Sequence, residues 1–113
     1  MAAANPLPAV LPETDTETET EPRRQPPYAV ILHNDDLNTQ LFVMMVLRKV
    51  FGYEPEKCYE LMMEAHEKGR CVVWVGPLEV AELKADQIRS CGADPEMKAK
   101  GAHPLGVSVE PAA

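Results

Sequence analysis

Asn34, Asp35 and Asp36 follow directly on the apolar run Ala29-Val30-Ile31-Leu32-His33. A later segment, Leu61-Met62-Met63-Glu64-Ala65-His66, places a histidine beside apolar residues at helical spacing. Asn and Asp favour turns over strands, so the strand ends at His33 and the turn presents one amide and two carboxylates at its mouth. Such a group suits a small cation and repels an anion or a phosphate. His33, Asp35, Asp36 and His66 are also valid zinc-ligand types, so a metal-dependent hydrolase is an alternative reading. Against it, the chain has no close His-x-x-x-His pair and no separate nucleophile or general base. His33 and Asp35 share a side only if the strand runs on past Asn34, which the turn formers oppose.

The elements that must carry these residues are legible from periodicity and punctuation. Residues 28–33 read as the first strand. Asn38 and Thr39 are good N-caps for a helix with Phe42, Val43, Val46, Leu47, Val50 and Phe51 along one stripe, ended by Gly52. Pro55 suits a helix start, and Cys58, Leu61, Met62, Ala65 and His66 fall on one face before Lys68-Gly69 closes the helix. Residues 71–75 read as a second strand, and Gly76-Pro77 turns the chain into a third helix. Its inner face is expected to be Val80, Leu83, Gln87, Ile88 and Cys91, with Gly92 as the stop. Residues 93–102 read as a loop and 105–109 as the last strand. The β-α-α-β-α-β order predicts an α+β fold, a three-stranded antiparallel sheet packed against three helices.

Composition separates residues 1–27 from the rest. Six of the eleven prolines lie there, with an alternating Glu/Thr run and no helical or strand periodicity. Such a segment does not bury enough apolar surface to offset its ordering entropy, so a disordered acidic arm is expected, followed by one domain over 28–113. Five acids against Arg23 and Arg24 give the arm −3 of the net charge of −7, leaving −4 on the domain. An acidic domain without a Lys/Arg stripe argues against nucleic acid and anionic membrane as partners. No basic start with an apolar run marks a signal peptide, and no stretch approaches the ~20 apolar residues of a membrane span. Cys58, Cys71 and Cys91 are odd in number and form no C-x-x-C pair. Reduced thiols in a cytoplasmic, monomeric protein that needs no cofactor are the simple expectation.

Several separated motifs resemble one family in order and spacing across residues 28–110. They are Val30-Ile31-Leu32-His33-Asn34-Asp35-Asp36, Phe42-Val43 with Val46-Leu47, Leu61-Met62 with His66, Gly69, Glu79-Val80-Ala81-Glu82 with Lys84, and His103-Pro104-Leu105. They look like ClpS, the adaptor family that delivers N-degron proteins to the AAA+ unfoldases ClpA and ClpC. The resemblance implies a non-enzymatic binding protein. Asn34, Asp35 and His66 match positions that hydrogen-bond the free α-amino group of the bound polypeptide, and Asp36 adds to the negative field. That amine, with a pKa of ~7.7–8.0, is mostly a cation at neutral pH. To accept a bond from it, His66 must be neutral. Val43, Met62, Ala65 and Leu105 match positions lining the pocket for the first side chain, with Asn38 and Gln40 at its mouth. The implied first residues are Phe, Tyr, Trp and Leu. Glu79 and Lys84 match the surface that docks on the unfoldase, and the arm is the segment the unfoldase engages.

The chain departs from the family pattern in three places. Asn38, Thr39 and Gln40 stand where a Thr-Pro pair and a gating Met are usual. Ala65 replaces a common Val, and the loop over 93–102 is longer. A structural interaction domain like that of the ribosomal stalk protein shares this fold, but that reading leaves Asn34, Asp35 and His66 without a role.

Overall fold

The computed structural model describes residues 26–112. The predicted acidic arm therefore lies outside the described residues apart from Pro26 and Pro27. The elements are β1 (Tyr28–His33), α1 (Gln40–Phe51), α2 (Pro55–Lys68), β2 (Arg70–Gly76), α3 (Leu78–Ser90), one 3-10 turn (Lys98–Lys100) and β3 (Val107–Pro111). The expected α+β order is present.

Central β1 pairs antiparallel with β2 on one side and β3 on the other. Its middle four residues, Ala29 to Leu32, are all buried, as a strand flanked on both edges and covered on both faces requires. Val30 and Leu32 point into the helical core. On the other face Ile31 is only 2% exposed. There the Arg70–Glu110 ion pair, 2.7 Å long, joins the two edge strands across β1. The register slips between Val30 and Ile31, leaving Val73 as an extra residue on β2 and bulging that strand. A Cβ at Gly76 would run into the Trp74 indole, which folds back over that position.

Helix α1 begins where expected, with the Thr39 hydroxyl accepting from the Phe42 N–H at 3.1 Å. Gly52 and Gly69, both in the left-handed region, end α1 and α2 as read from sequence. Helices α2 and α3 lie on the sheet, while α1 packs against them and touches no strand at backbone level. The core joins Val43, Val46 and Leu47 of α1, Cys58, Leu61, Met62 and Ala65 of α2, and Ile88 of α3 to the inner residues of the sheet.

Two sequence expectations are corrected. The buried residues of α3 are Ala81, Ala85 and Ile88, whereas Leu83 is 54% exposed, Val80 sits at the surface and Gln87 faces solvent. Alanine lets this helix approach the sheet closely, and the larger apolar side chains turn outward. The last strand starts at Val107, two residues later than expected; Leu105 before it turns into the core, and the Gly106 carbonyl accepts from the His33 N–H at 2.9 Å, keeping the segment beside β1.

Candidate functional site

One small cavity opens where β1 ends. It is lined by Leu32, His33, Asn34, Asp35, Asn38, Gln40, Val43, Met62, Ala65 and His66. Two backbone bonds bring these distant residues together. The Asn34 N–H donates to the carbonyl of Gly69 at 2.9 Å, and the Gly69 N–H donates to Ala65 at 2.9 Å. The end of α2 that carries Ala65 and His66 is thereby fixed beside the end of β1. The His33 bond to Gly106 holds the opposite side.

The polar rim has unspent acceptors. The Asn34 amide donates to Asp36 at 3.3 Å, while its side-chain carbonyl oxygen has no protein partner among the described residues. The Asp35 carboxylate is anchored. Its Oδ1 accepts from the N–H groups of Leu37 (2.7 Å) and Asn38 (3.0 Å), and its Oδ2 accepts from the Asn38 amide (2.6 Å). Burial works to raise the Asp35 pKa, but the hydrogen bonds from Asn38 and Leu37 outweigh it and hold the carboxyl below the usual carboxylate value. Asp35 is therefore an anion throughout the neutral range and faces the cavity as one.

His66 is exposed at the rim rather than buried on the apolar face of α2, and both ring nitrogens lack a protein partner among the described residues. The apolar floor is Val43, Met62 and Ala65, all buried. Two residues expected at the site do not line the cavity. Leu105 does not line the cavity; at 2% exposure it packs in the same core cluster as Val43 and Met62. Asp36 lies outside the cavity lining, exposed, and bears on it only through Asn34. Asn38 lines the cavity but is 5% exposed, with its amide committed to protein partners.

The cavity measures about 30 Å³. An apolar cavity that takes up benzene measures roughly 150 Å³. The cavity as it stands is thus smaller than a large side chain; Gln40 is exposed at its mouth, and Met62 in its floor is unbranched and adaptable.

The hydrolase alternative finds no support in this geometry. Among the described residues no three His, Cys, Asp or Glu side chains converge as a metal-ligand set. His33 is instead engaged through Nε2 with the Ser108 hydroxyl at 2.8 Å, on the sheet. Burial pushes the Cys71 thiol up to about 11 and also raises that of Cys58, so neither offers a thiolate at neutral pH. Among the described residues no helix is long and apolar enough to cross a membrane.

One structural feature beside the cavity escaped sequence reading. Asp94, in the loop after α3, is 5% exposed and bonds to both Asn38 and Thr39. Nothing local marks it, since its partners are 55 and 56 residues away.

Comparison with known proteins gives a consistent result. Residues 23–108 match the family model described as ATP-dependent Clp protease adaptor protein ClpS. An ATP-dependent Clp protease adapter protein ClpS of Ruegeria sp. (strain TM1040) is 38% identical over 95 residues, covering 82% of this chain and 79% of the relative. ClpS 1 of Bradyrhizobium diazoefficiens is 39% identical over 100 residues, covering 88% and 91%. The solved structure of Agrobacterium tumefaciens ClpS2 bound to L-phenylalaninamide matches with a TM-score of 0.67 and 36% identity, over 78% of this chain and 99% of that one.

Proposed function

The chain belongs to the ClpS family, and from that premise we propose that it is an adaptor that recognises the first residue of a polypeptide and hands it to a Clp AAA+ unfoldase of the ClpA or ClpC type. It carries out no chemical step of its own. The observation that carries this reading is a single cavity with the Asn34 carbonyl, the Asp35 carboxylate and the His66 ring at its rim and Val43, Met62 and Ala65 at its floor. A free α-amino group is a cation with three donors; the rim offers three acceptors. The first side chain enters the apolar floor, where burying a large residue contributes ~1.5–3 kcal/mol. Selectivity comes from requiring both. Phe, Tyr, Trp and Leu are the first residues of this reading, and the ligand named for the Agrobacterium protein, a phenylalanine amide, is of that kind.

Docking is assigned to the outward face of α3. Glu79, Val80, Leu83 and Lys84 share that face at helical spacing, and the exposure of Val80 and Leu83 makes it an apolar patch between two charges. Lys84 also donates to the carbonyl of Val50 at 3.1 Å and lies 5.6 Å over the Phe51 ring, which fixes its ammonium at the end of α1. Residues 1–27 are assigned the role of the arm that the unfoldase engages, ahead of one adaptor domain over 28–113.

The test is a panel of peptides that differ only in the first residue, each with a free and an acetylated N-terminus. Acetylation removes the charge, and binding is expected to weaken about 10- to 150-fold, the worth of one charge-assisted hydrogen bond. Equal affinity for the free and acetylated forms rules the mechanism out.

A further inference from the structure

Asn38 lines the recognition cavity, yet its side chain has no donor left for a ligand. The two amide hydrogens go to Asp35 Oδ2 at 2.6 Å and to the His103 carbonyl at 2.8 Å, and its Oδ1 accepts from the Asp94 N–H at 2.7 Å. Its own backbone N–H goes to the other oxygen of Asp35. Asp94 in turn holds the segment leading into α1. Its Oδ2 accepts from the Thr39 N–H at 3.2 Å and the Thr39 hydroxyl at 2.6 Å, and its Oδ1 accepts from the Glu96 N–H at 2.9 Å. The bond to the Thr39 hydroxyl comes first among the causes that hold the Asp94 carboxyl below its usual value. Both residues are 5% exposed, so these bonds do not compete with bulk water.

We infer that Asn38 and Asp94 are a positioning pair that fixes the Asp35 carboxylate for the incoming α-amino group, which makes the loop following α3 a working part of amine recognition. The inference rests on the adaptor reading above. A carboxylate held at both oxygens keeps one orientation before the ligand arrives, so binding does not have to order it. Oδ1 is already doubly occupied by backbone donors, and Oδ2 receives one bond. The acceptor capacity left on Oδ2 is aimed by the Asn38 amide, and that amide is aimed by Asp94 and His103. Thr39 links the same pair to Gln40 and Val43, the next residues of the cavity wall along α1. Asn38 therefore acts through Asp35 rather than on the peptide.

The experiment uses the full chain and a peptide beginning with Phe, dye-labelled at its C-terminus, with a free or acetylated N-terminus, titrated by fluorescence anisotropy. Asn38→Ala is expected to weaken binding of the free-amine peptide about 10-fold and to leave the acetylated peptide unchanged, the size of losing a well-aimed charge-assisted bond. Asn38→Thr, with one donor in place of two, and Asp94→Ala are expected to weaken it about 3-fold each on the same scale, and both keep the question answerable if the alanine variant at 38 melts below the assay temperature. In an Asp35→Ala background, Asn38→Ala is expected to add less than about a 2-fold change, because the residue through which it acts is gone. A full 10-fold loss in that background overturns the inference, as does equal weakening of both peptides, which marks general loosening. An unchanged free-amine preference in both Asn38→Thr and Asp94→Ala overturns it too. If the unaltered protein binds free and acetylated peptides equally, the adaptor reading falls and this inference with it.

Discussion

Asp35→Asn is the smallest change that tests the electrostatics of the rim. Shape is nearly conserved, but one oxygen becomes an NH2 group. The carboxylate now accepts from two backbone N–H groups at Oδ1 and from the Asn38 amide at Oδ2. An asparagine has one acceptor for these two sides. If its oxygen stays with Leu37 and Asn38 N–H, its NH2 faces the Asn38 NH2 across the present 2.6 Å; if it flips, its NH2 faces the two backbone donors. Either way a half-buried donor meets another donor. An unsatisfied donor costs about 1–3 kcal/mol, and partial solvent access puts this one in the lower half of that range. For a domain of this length, about 1–2 kcal/mol lowers the melting temperature by roughly 5–15 °C. Binding suffers separately, because the amine loses a charged acceptor, and the expected weakening for a free-amine Phe peptide is about 10- to 150-fold. Scanning calorimetry reads the first effect and anisotropy at a temperature where the variant is folded reads the second. A variant that melts within about 2 °C of the unaltered protein and binds within about two-fold refutes both parts of the reasoning.

Gln40→Met tests the gate. If position 40 controls entry, the preference for Leu over Ile as first residue should rise by the ~1–3 kcal/mol that one misplaced methyl group can cost, and an unchanged ratio shows that position 40 is not the gate. Leu83→Asp places a charge in the exposed apolar patch of α3. It should abolish binding to an unfoldase of the ClpA type, measured by co-sedimentation, while peptide affinity stays put; retained binding removes α3 from the docking surface. Acid should destabilise the fold in a defined window. Asp35, Asp94 and Glu110 all have folded-state pKa values below their ordinary ones, so their contribution is complete above about pH 5, beyond the unfolded values, and lost as pH falls through the lowered ones. Thermal melts should be level with respect to these groups above that point and drop below it, with a shallower drop in Arg70→Ala, which removes the hydrogen bond that comes first in lowering the Glu110 carboxyl.

Local signals carried most of the fold. Pro55 and Gly69 bound α2 in sequence as they do in space, and Thr39 caps α1 because its hydroxyl needs only a donor three residues on. The rim was legible for the same reason, since Asn34 and Asp35 end a strand and turn formers say so. Side-chain size misled the reading of α3, where Ala81 and Ala85 take the inner positions and Leu83 faces out. Hydrophobicity scales favour the larger residues, but closeness to the sheet favours the smaller. Leu105, expected at the pocket, does not reach the cavity surface and packs behind it with Val43 and Met62, a depth that its apolar type alone does not specify. The commitment of Asn38 to Asp94 was out of reach, because no local pattern announces a pairing across 56 residues.

The placement of β1 at the centre of the sheet has a consequence for synthesis. It leaves the ribosome first among the described strands, yet its partners are Arg70 to Gly76 and then Val107 to Pro111. At roughly 5–20 residues per second, about two to nine seconds separate the end of β1 from the end of β2. Throughout that interval Ala29 to Leu32, an uncharged apolar run destined for complete burial, has neither neighbour. Both of its edges are open to pairing with another nascent chain, the condition under which strands aggregate. Slowing translation while β1 is outside the exit tunnel and β2 still inside it should therefore lower the yield of soluble protein more than the same slowing once β2 is out. The network behind the cavity waits longer still, since the bond from the Asp94 N–H to Asn38 cannot form until the last third of the chain has emerged.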